Sequence, residues 1–171
     1  MKLIPSFAVD HTELQPGVYM SRQDEVGEYV ITTYDIRMTA PNQEPALAPA
    51  AIHTIEHLVA TFLRNDEMWK DRIIYWGPMG CLTGNYLIIK GYEKPEIIRQ
   101  LMIKAFNYVV EYNEQVPGTT PATCGNYLMH DLPMAKFEAR RYVNRLRDSF
   151  CCEYPGVERP YDNEGRTFYD A

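Results

Sequence analysis

The chain has 171 residues, 46% of them apolar and 23% charged, ordinary globular proportions that exclude a disordered protein. That length makes one domain the default, spanning 1–171, and is enough to bury about 70% of the unfolded surface in a core. Seventeen basic against 23 acidic residues leave a net charge of −6, which argues against nucleic acid as the main partner, and no apolar run approaches the ~18 residues that span a bilayer.

The first residues carry Lys2, Leu3 and Ile4 but then Pro5 and polar side chains, so no signal-like apolar region is read there and a reducing, cytoplasmic location is expected. The four cysteines accordingly read as thiols rather than as a disulfide framework. Residues 28–38 alternate, with Val30, Tyr34, Ile36 and Met38 on one face and Asp35 and Arg37 on the other. This pattern predicts a half-buried strand. Pro41, Pro45 and Pro49 punctuate a loop that leads into a helix over 50–64, where Ile52, Ile55, Val59, Phe62 and Leu63 recur at helical spacing.

Two short strands are expected over 72–76 and 85–92, on either side of a turn through Gly77, Pro78 and Gly80. Residues 95–112 give a strong helix pattern, with Pro95 in the first turn and an apolar stripe of Ile97, Leu101, Ala105, Tyr108 and Val109. A loop rich in Pro, Gly and Thr (116–123) precedes Cys124. A last helix over 133–150 is expected to bury Phe137, Val143, Leu146 and Phe150. The tail from about 152 is polar, with Pro155, Gly156 and Pro160, and reads as loosely held. Grouped strands and helices without strict alternation predict an α+β fold, an antiparallel β-sheet packed with helices.

The strongest chemical signal is His53-Thr54-Ile55-Glu56-His57 inside the first helix. Residues four apart share a helical face, so both imidazoles can reach one metal ion, with Glu56 placed to move a proton. The order H-x-x-E-H is that of the inverzincin metallopeptidases. The bland alternative, a solvated face that happens to hold two histidines, is the weaker reading because two of only four histidines occupy ligand spacing around a carboxylate. A third protein ligand is needed, with one position left open for catalysis. Cysteines 81, 124, 151 and 152 and several acids are candidates. Cys151 and Cys152 near a helix end read as small buried hydrophobes. Cys81 and Cys124 each adjoin glycine in a turn or loop, and spacing alone does not choose between them.

Several pieces then occur in order: Ser6-Phe7 with Asp10-His11; Tyr34 before Asp35-Ile36-Arg37; Pro41-Asn42; His53-Thr54-Ile55-Glu56-His57-Leu58; Pro78-Met79-Gly80-Cys81 with Thr83-Gly84; Cys124-Gly125; and His130-Asp131-Leu132 before Ala135-Lys136. Together they resemble the S-ribosylhomocysteine lyases, the LuxS family, across most of the chain. The resemblance implies that His53, His57 and Cys124 hold the metal, that Cys81 is the catalytic thiol and that Glu56 is the second acid/base group. It places Ser6, Phe7, His11 and Arg37 at substrate, the N-terminal ones reaching into the partner subunit's site of a homodimer. From their surroundings alone, His11 would read as a surface histidine and Arg37 as an exposed strand charge. His130 is read as structural, next to an Asp131 that can cap the last helix. One departure is Tyr75, three residues before Pro78, where some members of that family carry an acid. The polar tail has no obvious counterpart there.

The implied reaction cleaves the thioether of S-ribosylhomocysteine into homocysteine and 4,5-dihydroxy-2,3-pentanedione, the precursor of the autoinducer-2 signal. The implied cofactor is a divalent metal, Fe2+ in the native protein, with Zn2+ or Co2+ able to substitute. Two imidazoles, a thiolate and water would suit zinc on geometry alone. Two rivals are an inverzincin-like metallopeptidase, which would want a downstream glutamate as third ligand, and a zinc-stabilised binding domain closed by four protein ligands. Glu56 beside the metal and an unclaimed Cys81 speak against the second.

Overall fold

The computed structural model describes residues 9–155. In chain order the elements are β1 (Gly17–Val26), β2 (Tyr29–Arg37), α1 (Pro49–Asn65), β3 (Ile73–Pro78), β4 (Gly84–Lys90), α2 (Pro95–Glu111) and α3 (Leu132–Asp148). The strands form one antiparallel sheet in the order β1-β2-β4-β3. This is the α+β architecture that the pattern predicts. Val26 pairs with Tyr29 across a two-residue turn, and Gly27 sits there at φ 63°, the left-handed conformation a II′ hairpin turn requires at its first central residue.

The three helices pack on one another, with α1 also against β3 and α2 against β1. Their buried residues, among them Ile55, Leu58, Met102, Phe106, Tyr142 and Leu146, join Val18, Tyr34, Ile36 and Leu87 of the sheet in one core. Prolines stand in the first turn of all three helices, where the missing N–H would have had no helical partner.

The structure corrects several details of the sequence reading. Strand β1 has no clear alternation because its first half is buried on both faces. Val18 and Met20 face the helices, whereas Tyr19 joins a second cluster with Val9, Leu14 and Tyr154. That second cluster covers the other face of the sheet, so β2 is not half-buried at its end: Asp35 and Arg37 are only 2% and 4% exposed. Arg37 is a buried charge, not a surface one.

On α2 the core side carries Ile98, Met102 and Phe106 beside Leu101, Ala105 and Val109, while Ile97 points outward. On α3 the buried positions are Ala135, Ala139, Tyr142, Val143 and Leu146, and Phe137 is 58% exposed. Phe150 follows the helix end, with the Arg99 guanidinium 4.9 Å over its ring. Cys151 and Cys152 are half-buried, and all four cysteines are free thiols. Residues at the start of the tail are hydrogen-bonded to the sheet side of the chain. Val18 N–H donates to Cys151 O at 3.0 Å and Asp10 N–H to Pro155 O at 3.4 Å. Residues 156–171 lie outside the described residues.

Candidate metal centre and thiol pocket

Helix α1 buries Ile52, Ile55, Leu58, Val59 and Leu63 in the core. The helical period therefore turns His53 and His57 toward the irregular segment between α2 and α3. That segment fixes both rings. His53 Nδ1 lies 2.8 Å from Met129 O, and His57 Nδ1 lies 2.8 Å from Pro117 O. A carbonyl only accepts, so each Nδ1 carries the proton and each Nε2 is left with its lone pair. Gly118, at φ 75°, lets the loop approach. A Cβ there would stand 3.2 Å from His57 Nδ1.

Cys124 reaches the same point from the loop. Its Sγ is 3.5 Å from His53 Nε2 and 3.8 Å from His57 Nε2. Backbone bonds set its position, Cys124 N–H to Thr120 O at 3.0 Å and Asn126 N–H to the sulfur at 3.4 Å.

His130 joins them, which the sequence reading did not anticipate. Asp131 does cap α3 as expected, its carboxylate accepting from Met134 N–H at 2.9 Å. The ring of His130, however, stacks on His53 with centroids 4.1 Å apart. Its tautomer follows from Thr54, whose hydroxyl donates to Ala50 O at 2.8 Å. With that proton committed, the Thr54 oxygen accepts from Asp131 N–H at 3.0 Å and from His130 Nδ1–H at 3.2 Å. His130 Nε2 is then a bare lone pair, buried and without a hydrogen-bond partner. Burial, with His53 and His57 adjacent, pulls this imidazole down to about 4, which keeps it neutral near pH 7. A short reach from Cys124 to the histidine before the α3 cap was the signal that could have found it.

The four donor atoms of His53, His57, Cys124 and His130 lie within 4.8 Å of one another. Three imidazole lone pairs converge on one thiol, whose single S–H can serve only one of them, so a cation satisfies the group best. Nitrogen and sulfur donors of this kind fit a divalent transition ion or zinc. Glu56 is half-buried on α1 beside these residues in sequence.

Cys81 stands in a different place. It lines a cavity of about 360 Å³ with His11, Arg37, Asn42, Glu44 and Thr83, and the lining contains none of the four metal-type donors. The turn that carries Cys81 holds Leu82 at φ 57°, an uncommon backbone state for a bulky residue. Two backbone bonds hold it there, Leu82 N–H to Met79 O at 2.9 Å and Leu47 N–H to Leu82 O at 2.8 Å.

Arg37 grips Asp35 with Nε at 3.1 Å and Nη2 at 2.5 Å. Its remaining nitrogen, Nη1, donates to Thr83 Oγ1 at 2.6 Å and lies 3.9 Å from Cys81 Sγ. Burial raises Asp35 above the usual carboxylate range, against the opposing pull of Arg37. Desolvation, the largest single influence, would lower Arg37, but the charge and hydrogen bonds of Asp35, with Cys81 and Tyr154 nearby, together push it up and hold the guanidinium charged.

Of the sequence-predicted residues, the structure brings His53, His57 and Cys124 together in one cluster, and His11, Arg37 and Cys81 in the other. His11 therefore shares a cavity with its own chain's Cys81. Ser6 and Phe7 lie outside the described residues. Tyr75, the departure from the family pattern, is half-exposed on β3 with its ring folded over Gly77. No helix among the described residues is long and apolar enough to cross a membrane.

Fold and site together define an α+β protein with a His/Cys cluster suited to a divalent metal and a separate thiol pocket floored by a buried ion pair. The chain belongs to the S-ribosylhomocysteinase (LuxS) family, whose family model matches residues 4–150. It is 58% identical over 146 residues to the S-ribosylhomocysteine lyase of Phocaeicola vulgatus, covering 85% of this chain and 91% of that protein. It is 51% identical over 148 residues to that of Porphyromonas gingivalis (86% and 93% covered) and 50% identical over 149 residues to that of Borreliella burgdorferi (86% and 94% covered).

Proposed function

We propose that this protein is a carbon–sulfur lyase that cleaves S-ribosylhomocysteine to homocysteine and 4,5-dihydroxy-2,3-pentanedione. The observation that carries the reading is the family match over residues 4–150, within which both chemistry-bearing clusters fall. The names of the relatives speak for a lyase and not for peptide hydrolysis. The donors converging beside His53 and His57 are a thiol and an imidazole, not the glutamate an inverzincin-like peptidase would use.

The thioether has no easy route to direct hydrolysis. Moving the sugar carbonyl along the chain until it is β to sulfur allows elimination instead. Each shift removes a proton beside the carbonyl and returns one to the former carbonyl carbon; the last proton removal expels the homocysteine thiolate. His53, His57 and Cys124 would hold the metal, with His130 beside them. The bound ion supplies Lewis-acid stabilisation of the charge that develops on the sugar oxygens. Cys81 and Glu56 act as the two proton carriers, on opposite faces of the substrate carbons. Arg37 Nη1 lies 3.9 Å from the Cys81 sulfur and both reach Thr83 Oγ1, which orients the thiol in the pocket. His11, lining the same cavity, contacts substrate, as do Ser6 and Phe7.

Fe2+ is the native ion in this reading, with Zn2+ or Co2+ able to replace it. The enzyme works as a cytoplasmic homodimer whose sites combine one chain's thiol pocket with its partner's metal centre, and its product feeds autoinducer-2 signalling. Two observations favour sharing. The thiol cavity contains none of the metal-type donors of its own chain. Beside the metal loop, Leu128 is 78% exposed and Phe137 and Met134 also face outward, an apolar surface of the sort a second chain covers.

The decisive assay is release of free thiol from S-ribosylhomocysteine by the metal-loaded protein, read with a thiol reagent against a substrate-free blank. Stoichiometric homocysteine is expected. A metal-loaded, folded protein that releases none refutes the assignment.

A further inference from the structure

We propose that Tyr154 is a positioning residue for the thiol pocket: its hydroxyl fixes Asp35, and Asp35 aims the Arg37 guanidinium at Cys81. The inference rests on the reading of Cys81 as the working thiol. Tyr154 lies past residue 150, where the family match ends, so nothing in that match assigns it a role.

The segment that carries Tyr154 is pinned at both ends to the sheet side of the molecule, through Cys151 O on Val18 and Pro155 O on Asp10. Between these pins the Tyr154 ring stacks on Tyr19, with centroids 4.8 Å apart and planes within 9°. Only 8% of the residue is exposed. Its hydroxyl donates to Asp35 Oδ2 at 3.1 Å.

Asp35 is shut away from solvent, so its carboxylate depends on protein donors. Among the described residues these are Arg37 Nε, Arg37 Nη2 and Tyr154 Oη. The two Arg37 bonds fix the plane of the guanidinium, and that plane dictates where the third nitrogen points. Nη1 points at Thr83 Oγ1 and Cys81 Sγ. Tyr154 thus acts on the thiol through two intermediaries. Without its hydroxyl, the buried carboxylate loses one donor and turns toward the others, and the guanidinium plane turns with it. The geometry also gives the end of α3 a purpose beyond packing: it delivers the strap that brings Tyr154 to Asp35.

The test uses the full-length, zinc-loaded chain. Tyr154→Phe keeps the ring stack and removes only the hydroxyl. Tyr19→Phe is the matched control, because the Tyr19 hydroxyl donates to Gln15 O and makes no bond to Asp35. Alkylation of Cys81 by iodoacetamide, resolved from the other thiols by peptide mass spectrometry, reads the thiol without substrate. Turnover of S-ribosylhomocysteine is the second readout.

Tyr154→Phe is expected to slow both by about threefold or more, in the range of coupled neighbours, with zinc content unchanged and Tyr19→Phe at the wild-type rate. In an Arg37→Lys background, which keeps a cation on Asp35 but has no Nη1, Tyr154→Phe is expected to change neither readout further. The proposal is overturned if Tyr154→Phe alkylates and turns over like Tyr19→Phe. It is equally overturned if the same fold-loss appears in the Arg37→Lys background, since that is general loosening. A wild-type chain that fails to turn over while the alkylation pattern holds would sink the lyase reading and leave the positioning role standing.

Discussion

Thr54 is the one hydroxyl on which the tautomer of His130 depends, and replacing it with valine tests the metal cluster without touching a ligand. Valine matches threonine in shape and suits the buried site, so little packing is lost. Of the three bonds at the hydroxyl, two are dispensable. Ala50 O lies within α1, and Asp131 N–H has a second acceptor in Ala50 O at 3.2 Å. The third, from His130 Nδ1–H, has no replacement acceptor among the described residues. One buried donor is orphaned, which costs about 1–3 kcal/mol. For a chain of this size that lowers Tm by about 2–12 °C.

The freed ring of His130 also stops supporting its stacked neighbour His53, and loss of such an orienting partner typically weakens metal binding by about 10- to 100-fold. Thr61 supplies the control. Its hydroxyl donates to His57 O at 2.8 Å on the same helix, half-buried and with no loop partner, so Thr61→Val should leave both quantities near wild type. Zinc affinity by chelator competition and Tm of the metal-free protein are the two measurements. Should Thr54→Val bind zinc within twofold of Thr61→Val and melt with it, the assigned tautomer and the place of His130 in the cluster are both wrong.

Three further outcomes are expected. Cys124→Ala should lose metal and activity, whereas Cys81→Ala should keep metal and fold while turnover drops by about 10²- to 10⁴-fold; a metal-free Cys81→Ala would mean the roles are reversed. Mixing Cys81→Ala with Cys124→Ala chains after dissociation should restore about a quarter of wild-type activity, since half the random dimers carry one intact shared site; His11→Ala with Cys81→Ala should restore none, because those residues share one chain's cavity. Two guanidinium bonds from Arg145, with Ala40 N–H, hold Glu44 below its ordinary 4.5. Its contribution is therefore complete above about pH 4.5 and is lost as pH falls through the lowered folded value. The Tm of wild type should converge on that of Glu44→Gln as pH drops below 4.5, and a gap that persists or widens there contradicts the pairing.

What the sequence discloses and what it hides divide along the range of the interactions involved. The His53/His57 pair is legible because a helix repeats every 3.6 residues and the spacing alone places both rings on one face. The strand β2 and helices α1 to α3 are legible for the same local reason. Cys124 and His130 have no such period. They reach the cluster through Thr120, Thr54 and Met129, contacts between distant parts of the chain that no window of residues contains. Alternation makes Arg37 look exposed because it assigns a strand two faces but does not say what covers the second one. Here the cover is Tyr19 together with the strap around Tyr154, and that strap is polar enough in sequence to pass for a loose end.

The same distinction bears on Phe137 and Leu128. Both are apolar, and the helical pattern assigns Phe137 to the core side of α3. In a single chain both are exposed. A residue that hydrophobic periodicity assigns to the inside but the fold leaves outside, as at Phe137, is suited to meet another surface. In this protein they lie beside a metal loop that in its own chain faces no part of the thiol cavity. In the shared-site dimer proposed above, a second chain over that loop would cover both side chains and supply the thiol pocket that this chain's metal cluster lacks, and the mixed-dimer experiment tests that sharing.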